Sequence, residues 1–271
     1  MAIRLVASDI DGTLVDDQGR VSERTRRVLA EASARGVVLA IASGRTVGSM
    51  SDVLPYLPPM DYLIQSNGAS VLELKTGRVL FSRPFPSALL APVIACLGQA
   101  GVAWHAFIGG KACIDAPFAP IYREYLGSVR AEKFRPVEGL AEKLLTDPPE
   151  IEKLGVITPD RALRARLMEQ LSAYPELRVS SACWFNIEIN DRMATKGNAL
   201  RALLDHLHIS PQEAAAFGDA PNDLTMLEAV GYGVAMGNAA PEVLQRAAYQ
   251  TVTNGEDGVA RFLAQQLGLS C

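Results

Sequence analysis

Residues 3–14 read IRLVASDIDGTL, a short apolar run that ends in two carboxylates and a glycine. The run Ile3–Ser8 does not alternate apolar with polar residues, which is typical of a strand buried on both faces of a parallel sheet. Because side chains two apart on an extended chain point the same way, Asp9 and Asp11 are predicted to project together from the strand end. Such a pair suits Mg²⁺ binding or a shared nucleophilic and acid–base role, although the pattern also occurs in solvated turns.

The sequence around this stretch alternates helices with further apolar runs. Ser22 is a predicted N-cap of a helix, and the runs Val37–Ala42 and Tyr62–Ile64 follow that helix. The alternation returns later in the chain, with a helix at Lys196–Leu207 and a strand at Ala214–Phe217. This order predicts an α/β fold with a parallel sheet and right-handed crossovers.

The middle of the chain has a different character. A hairpin is predicted around Lys75–Gly77, and two prolines follow it. From there to about Phe185, no predicted strand ends in a carboxylate or a Ser-Gly pair. We therefore expect two domains, a core of residues 1–83 and 186–271 and an inserted α+β domain of residues 84–185.

The composition excludes several classes of protein. Hydrophobic residues make up 49% and charged residues 21% of the 271 positions, so the chain is expected to fold. A net charge of −4 argues against a general nucleic-acid binder, and no apolar run approaches the ~18 residues of a membrane helix. The run after Arg4 is too short for a signal peptide, and the four dispersed cysteines form no CxxC pair. We expect a cytoplasmic protein with reduced thiols; the oligomeric state stays open.

Three more polar stretches follow predicted strands or open a predicted helix. They are Ser43-Gly44-Arg45, Lys196, and the turn Gly218–Asp223 with its two acids and Asn222. Taken singly, these could be a helix cap, a surface lysine and a capping loop. Open α/β sheets bind ligands at the carboxyl ends of their strands, and these stretches would meet Asp9 there. Together they predict a site for Mg²⁺ and a phosphate group.

These residues, in this order, resemble the motifs of the haloacid dehalogenase superfamily of phosphohydrolases. Residues 9–14, DIDGTL, resemble the first motif, D-x-D-G-T-L. Ser43 matches the second motif, Lys196 the third, and Asp219 with Asp223 the fourth. Signatures of the Cof-type branch are similar to Ser66–Ala69, Ala235–Ala239 and Asn254–Ala260.

The resemblance carries expectations about fold and metal. It implies a Rossmann-like, doubly wound core sheet and an inserted α/β cap of the C2 type, class IIB. It implies that Mg²⁺ is held by the Asp9 carboxylate, the Asp11 backbone carbonyl and Asp219. Ala220 stands where the family often has Ser, a difference that removes no charged group.

The resemblance also implies a division of roles during hydrolysis. Asp9 would attack phosphorus and become an aspartyl-phosphate, while Asp11 would protonate the leaving oxygen and then activate water. Thr13 would position Asp11, and Asp223 would hold Lys196 or ligate the metal through water. Arg45 would meet an anionic substrate or form a surface ion pair. The groups expected around the transferring phosphate are Ile10, Ser43, Gly44, Lys196 and Asn222.

The expected activity is therefore a phosphatase acting on a small phosphorylated metabolite. Sugar phosphates, pyridoxal phosphate and flavin mononucleotide are all compatible with the resemblance. Two alternatives stay open: a phosphomutase of the phosphomannomutase type, which returns phosphate to the sugar, and a non-catalytic module that senses sugar phosphates.

Overall fold

The computed structural model describes residues 3–127, 131–181 and 183–269. In chain order its strands are β1 (Leu5–Ser8), β2 (Val38–Ala42), β3 (Tyr62–Gln65), β4 (Ser70–Glu73), β5 (Val79–Ser82), β6 (Ala103–Ile108), β7 (Lys111–Asp115), β8 (Phe134–Val137), β9 (Ile151–Ile157), β10 (Leu177–Ser180), β11 (Asn186–Asp191), β12 (Ala214–Gly218), β13 (Tyr232–Ala235) and β14 (Tyr249–Gln250). Its α-helices are α1 (Glu23–Ala34), α2 (Leu90–Ala100), α3 (Ala119–Leu126), α4 (Leu140–Thr146), α5 (Arg161–Ser172), α6 (Lys196–Leu207), α7 (Leu224–Leu227), α8 (Pro241–Arg246) and α9 (Gly258–Leu267).

Shorter helical segments lie between these elements. A π-type turn covers Ile10–Leu14, directly after β1 and Asp9. The 3-10 helices are Val47–Ser49, Leu54–Tyr56, Ser87–Leu89, Ala116–Phe118, Pro211–Glu213 and Asn254–Glu256. None of the helices in the described part of the chain has the length and apolar character that crossing a bilayer requires.

Contacts divide the chain into two compact units. The core unit contains residues 3–45, 50–82 and 195–269, and the inserted unit contains Thr46–Ser49 and Arg83–Ala194. The expected boundary after Phe185 differs from this division, because β11 pairs with β9 and β10 in the sheet of the inserted unit. The sequence analysis predicts no strand at Asn186–Asp191, and the pairing with β9 joins it to residues well before it in the chain.

The core unit is built on an eight-stranded sheet within the described residues, in the order β14-β13-β12-β1-β2-β3-β4-β5. The pairs from β14 through β3 are parallel, and the hairpin strands β4 and β5 extend the sheet antiparallel. The predicted α/β fold is confirmed. The order also places β1 between β2 and β12, so the loops after these three strands are neighbours at one edge.

Both faces of the core sheet are apolar and covered. Leu5, Ala40 and Ile64 face a cluster that includes Leu200 and Leu203 of α6. On the other face, the ring of Phe217 in β12 meets the ring of Phe262 in α9 edge-on, with 5.6 Å between centroids. Burial on both faces explains why the strand sequences lack the alternation of a half-exposed sheet.

The inserted unit has a six-stranded sheet within the described residues, in the order β10-β11-β9-β6-β7-β8. One face, with Trp104 of β6 and Leu154 of β9, packs in a cluster that also contains residues of α2, α4 and α5. On the other face, His105 Nδ1 lies 2.7 Å from the hydroxyl of Tyr122 in α3. The thiols of Cys96, Cys113 and Cys183 are free, and Cys271 lies outside the described residues.

Helix α1 begins where the sequence predicts it. The Ser22 hydroxyl accepts a hydrogen bond of 3.0 Å from the Thr25 backbone N–H, which satisfies one of the unpaired donors of the first turn. We expect Ser22→Ala to lower the free energy of unfolding by about 1 kcal/mol, because that donor loses its partner. The measurement is the urea midpoint of the wild type and the variant.

The matched control is Ser33→Ala within the same helix. Ser33 is half-buried and alanine has the higher helix propensity, so this variant should keep or slightly raise the midpoint. Equal midpoints for Ser22→Ala and the wild type would contradict the capping account.

Candidate active site

The candidate site lies at the carboxyl edge of the core sheet. Asp9 follows β1, and its backbone N–H donates to the carbonyl of Phe217 in β12 at 3.0 Å. Ser43 follows β2, and Asp219 follows β12. The sheet order therefore brings three of the predicted motif residues to adjacent loops, as expected for ligand sites in open α/β sheets.

A buried ammonium joins these loops. Lys196 Nζ donates to Asp9 Oδ1 at 2.8 Å and to Asp223 Oδ1 at 2.6 Å. Lys196 is 1% exposed, Asp223 0% and Asp9 6%. Thr195 caps α6 through a hydrogen bond from the Asn198 N–H to its hydroxyl, and this fixes the start of the helix that carries Lys196.

Asp223 stabilises the turn after β12. Its second oxygen, Oδ2, accepts hydrogen bonds of 3.0 Å from the backbone N–H groups of Asp219 and Ala220. Its other oxygen holds Lys196, as one of the two predicted roles required. Asp223 is thus a positioning residue that links the Lys196 ammonium to the loop of Asp219.

Thr13 has a different partner from the one expected. Its hydroxyl donates to Asp219 Oδ1 at 2.8 Å, so the expectation that Thr13 positions Asp11 is wrong. Gly12, at a φ of 79°, turns the chain so sharply that Thr13 comes beside the β12 loop. The first and fourth motifs are therefore joined directly through a side-chain hydrogen bond.

Burial determines the charge state of the two carboxyl groups near Lys196. Burial raises the pKa of Asp9 to about 7, although the Lys196 ammonium opposes that rise. Burial also raises the pKa of Asp219 to about 6, opposed by the hydrogen bond from Thr13. For Lys196, burial lowers the pKa, but the carboxylates of Asp223 and Asp9 raise it by more and keep the ammonium charged.

The carboxylates form a group that fits a divalent cation. One oxygen each of Asp9, Asp219 and Asp223 can be chosen so that all three lie within 4.8 Å of one another. Three carboxylates face one ammonium, so the ionised cluster carries two uncompensated negative charges. Among the described residues, Asp9 Oδ2 and Asp219 Oδ2 accept no hydrogen bond, whereas both oxygens of Asp223 do. Hard oxygen donors with excess negative charge are what Mg²⁺ selects.

Asp11 does not belong to this carboxylate group, contrary to the expectation from its spacing. Arg45 donates to both of its oxygens, from Nε at 2.9 Å and from Nη2 at 2.5 Å, and also pairs with Asp52. The Asp11 side chain is 55% exposed. The strand ends at Ser8, so the i, i+2 rule of extended chains does not extend to Asp11. Of the two predicted roles for Arg45, the structure shows an ion pair.

Ser43 lies in a loop rather than at the start of an α-helix. Its hydroxyl accepts a hydrogen bond of 3.1 Å from the Arg45 N–H, and a single 3-10 turn, Val47–Ser49, follows. Ser43 is therefore not the cap of an α-helix, because no helix of that type begins at Ser43–Arg45. Ser43 is 2% exposed and lies at the end of β2, beside the loop of Asp9.

Asn222 precedes its helix. The helix α7 begins at Leu224, and Asn222 lies in the turn before it. The Asn222 Nδ2 group donates to Asn67 Oδ1 at 3.2 Å. A side chain on a turn can point differently from its helical neighbours, and here it reaches the loop after β3.

Two asparagines outside the predicted site residues contact the turn after β1. Asn238 Nδ2 donates to the carbonyl of Gly12 at 2.8 Å, and Asn254 Nδ2 donates to the carbonyl of Val15 at 2.9 Å. The Asn254 N–H donates to the Asn238 side chain, which joins the two. They support the turn after β1 from two separate loops; no spacing rule in the sequence could have paired them with it.

Comparisons with known proteins give consistent results. The sequence model of the haloacid dehalogenase-like hydrolases matches residues 6–263. The chain is 32% identical over 266 residues to the putative phosphatase YxeH of Bacillus subtilis, covering 96% of this chain and 97% of that protein. It is 28% identical over 261 residues to the 5-amino-6-(5-phospho-D-ribitylamino)uracil phosphatase YcsE of the same organism, with coverage of 96% and 94%.

Solved structures share the fold along the whole chain. The structure of TM0651 from Thermotoga maritima superposes with a TM-score of 0.83 at 29% identity, covering 97% of each chain. A haloacid dehalogenase-like hydrolase from Bacteroides thetaiotaomicron superposes with the same TM-score at 24% identity, covering 97% of this chain and 99% of its own.

The raised pKa values predict how cation binding depends on pH. Protons compete with a cation for Asp9 and Asp219, so affinity should be full above pH 7 and fall as the pH drops through 7 and 6. Between pH 8 and pH 5, we expect the apparent Mg²⁺ affinity to fall by roughly two to three orders of magnitude. Isothermal titration calorimetry with MgCl₂ measures it.

The control compares two substitutions that change the charge equally. Asp219→Asn should abolish Mg²⁺ binding, whereas Asp205→Asn, at an exposed position on α6, should leave it unchanged. An affinity that does not change between pH 8 and pH 5 would refute the assignment of these carboxylates.

Proposed function

The chain belongs to the haloacid dehalogenase-like hydrolase family and is a phosphatase, and from that premise we propose that Asp9 is its nucleophile. The observation that carries the proposal is the Lys196 ammonium, which binds one oxygen of Asp9 and leaves the other without a hydrogen bond among the described residues. Lys196 thus orients the carboxylate and keeps a lone pair available for attack on phosphorus.

The proposed reaction has two steps. In the first, Asp9 Oδ2 forms a bond to phosphorus, the ester P–O bond breaks, and Asp11 gives a proton to the leaving oxygen. In the second, Asp11 takes a proton from water, the water oxygen bonds to phosphorus, and the Asp9–phosphorus bond breaks. Free phosphate and the starting carboxylate result. Arg45 bonds both oxygens of Asp11, so proton transfer by Asp11 requires that this ion pair open.

We propose Mg²⁺ as the cofactor. Asp9 and Asp219 would hold it, with the backbone carbonyl of Asp11 as a further ligand, and Asp223 would position this set through Lys196 and the Asp219 N–H. When bound, Mg²⁺ would offset the two excess negative charges of the cluster and polarise the phosphoryl group. The grouping of three carboxylate oxygens within 4.8 Å of one another supports a resident cation.

The groups proposed to surround the transferring phosphate are polar and lie on the loops of this edge. They are Ile10 and Gly44 through their backbone N–H groups, Ser43 through its hydroxyl, Lys196 and Asn222. Such donors stabilise a phosphoryl group because its charge is spread over the three non-bridging oxygens.

We propose that the substrate is a small phosphorylated metabolite in the cytoplasm, such as a sugar phosphate, pyridoxal phosphate or flavin mononucleotide. Names of relatives support this class: one is a phosphatase of a ribityl phosphate attached to a uracil ring, itself a sugar-alcohol phosphate on a heterocycle. A panel of phosphorylated metabolites, with phosphate release measured for each, would identify the substrate.

The nucleophile is tested with Asp9→Asn. An amide attacks phosphorus poorly, so this variant should release no phosphate from p-nitrophenyl phosphate above the background rate. EDTA should abolish phosphate release by the wild type, and added Mg²⁺ should restore this activity.

Two further variants make the test specific. In Asp11→Asn, transfer of a phosphoryl group to Asp9 should still occur, but hydrolysis of the aspartyl-phosphate should be slow. Intact-protein mass spectrometry should therefore detect one phosphoryl group on Asp9. Asp205→Asn, an exposed control, should behave as the wild type. Full activity of Asp9→Asn would contradict the proposed nucleophile.

A further inference from the structure

The loop after β3 has an unusual backbone. Ser66, Asn67 and Gly68 follow one another with φ values of 52°, 62° and 101°. Asparagine and glycine adopt this left-handed region more readily than most residues, but Ser66 does so at a cost. Such strained conformations persist only where the surroundings hold them, and they cluster at functional sites.

The backbone of this loop is hydrogen-bonded to the loop after β2. The Asn67 N–H donates to the carbonyl of Ser43 at 3.0 Å, and the Ser66 N–H donates to the carbonyl of Arg45 at 3.1 Å. A Cβ atom on Gly44 would lie 2.9 Å from Asn67 Oδ1, so the Asn67 side chain packs directly against Gly44. The left-handed turn therefore sets the path of the segment that carries Ser43 and Gly44.

The same turn lies against the start of α6. A Cβ atom on Gly68 would come within 2.2 Å of the Thr195 carbonyl oxygen and 2.8 Å of the Lys196 backbone nitrogen. Only glycine allows this approach. The turn thus packs between the loop of Ser43 and Thr195, which caps the helix that carries Lys196.

The Asn67 side chain reaches the fourth motif as well. Its Oδ1 accepts the hydrogen bond of 3.2 Å from Asn222 Nδ2. Asn222 Oδ1 is buried and has no hydrogen-bond partner among the described residues. The carboxamide of Asn222 is therefore oriented by one protein contact, the bond to Asn67.

We infer that Asn67 is a positioning residue for phosphoryl transfer, acting through the Asn222 carboxamide. The bond to Asn67 engages one N–H of Asn222 Nδ2 and aims the other, which is the donor to the phosphoryl oxygen. This rests on the proposed function, in which Asn222 contacts that oxygen. Asn67 is 6% exposed, and its contacts with Asn222 and with the loop of Ser43 are the ones through which it would act.

The test is a double-mutant cycle with Asn67→Gly, Asn222→Ala and the combination. Glycine keeps the left-handed backbone and its N–H bond to Ser43, so Asn67→Gly removes the side chain alone. The readouts are kcat/KM for p-nitrophenyl phosphate, the inhibition constant of inorganic phosphate, and the melting temperature.

We expect Asn222→Ala to lower kcat/KM on the order of a hundredfold, as for loss of one transition-state donor, and Asn67→Gly on the order of tenfold or more. The double variant should be no worse than Asn222→Ala, and both single variants should weaken inhibition by phosphate. Two independent losses that multiply would overturn the inference, and so would an Asn222→Ala variant with wild-type kinetics.

A second comparison measures the effect of Asn222→Ala on kcat/KM in a protein that already carries Asn67→Asp. Aspartate also tolerates the left-handed region and keeps an acceptor oxygen, so Asn222→Ala should cost as much there as in the wild type. In the Asn67→Gly background the same change should cost about tenfold or less, against about a hundredfold in the wild type. Equal costs in both backgrounds would refute the coupling, even if Asn67→Gly lost stability. A failure of this cycle is distinct from failure of the proposed function, because the latter would appear as full activity of Asp9→Asn.

Discussion

The Lys196 ammonium is 1% exposed, and a charge buried that deeply has to be paired. Its two partners, Asp9 and Asp223, come from opposite ends of the chain, so the pairing requires β1 and β12 to lie side by side with their carboxyl ends together. The cap at Thr195 fixes the start of α6, and Asp223 in turn fixes the loop of Asp219. The parallel sheet places these loops at one edge, and the ion pairs of Lys196 with Asp9 and Asp223 fix how the loops pack against one another.

The same pairing explains the electrostatics of the site. One ammonium cannot neutralise three carboxylates, and burial makes the remaining charge costly, which is why the pKa values of Asp9 and Asp219 rise. A divalent cation would relieve that cost, and a phosphoryl group would then meet a site of balanced charge. Arg45 lies outside this group, since its guanidinium forms ion pairs with Asp11 and Asp52 instead.

Much of the core could be predicted from the sequence, because the deciding signals are local. The helix after Ser22 and the strands at Val37–Ala42 and Ala214–Phe217 follow from a cap and short apolar runs. Features that depend on distant partners could not be predicted. Thr13 bonds Asp219 rather than Asp11 because Gly12 turns the chain, and β11 joins the sheet of the inserted unit. The role inferred for Asn67 depends on contacts with two separate loops, and the sequence shows neither contact as a spacing.

Burial raises the pKa of Asp9, and the Lys196 ammonium opposes that rise, so the pKa stays at about 7 rather than higher. The direct measurement is an NMR titration of the Asp9 carboxyl carbon without divalent cations, in the wild type and in Lys196→Met. In the wild type we expect a pKa of about 7, and in the variant a clearly higher one, because burial then acts without the opposing charge. Lys75→Met, at an exposed turn, should not change it. An Asp9 pKa that stays the same in Lys196→Met would contradict the account.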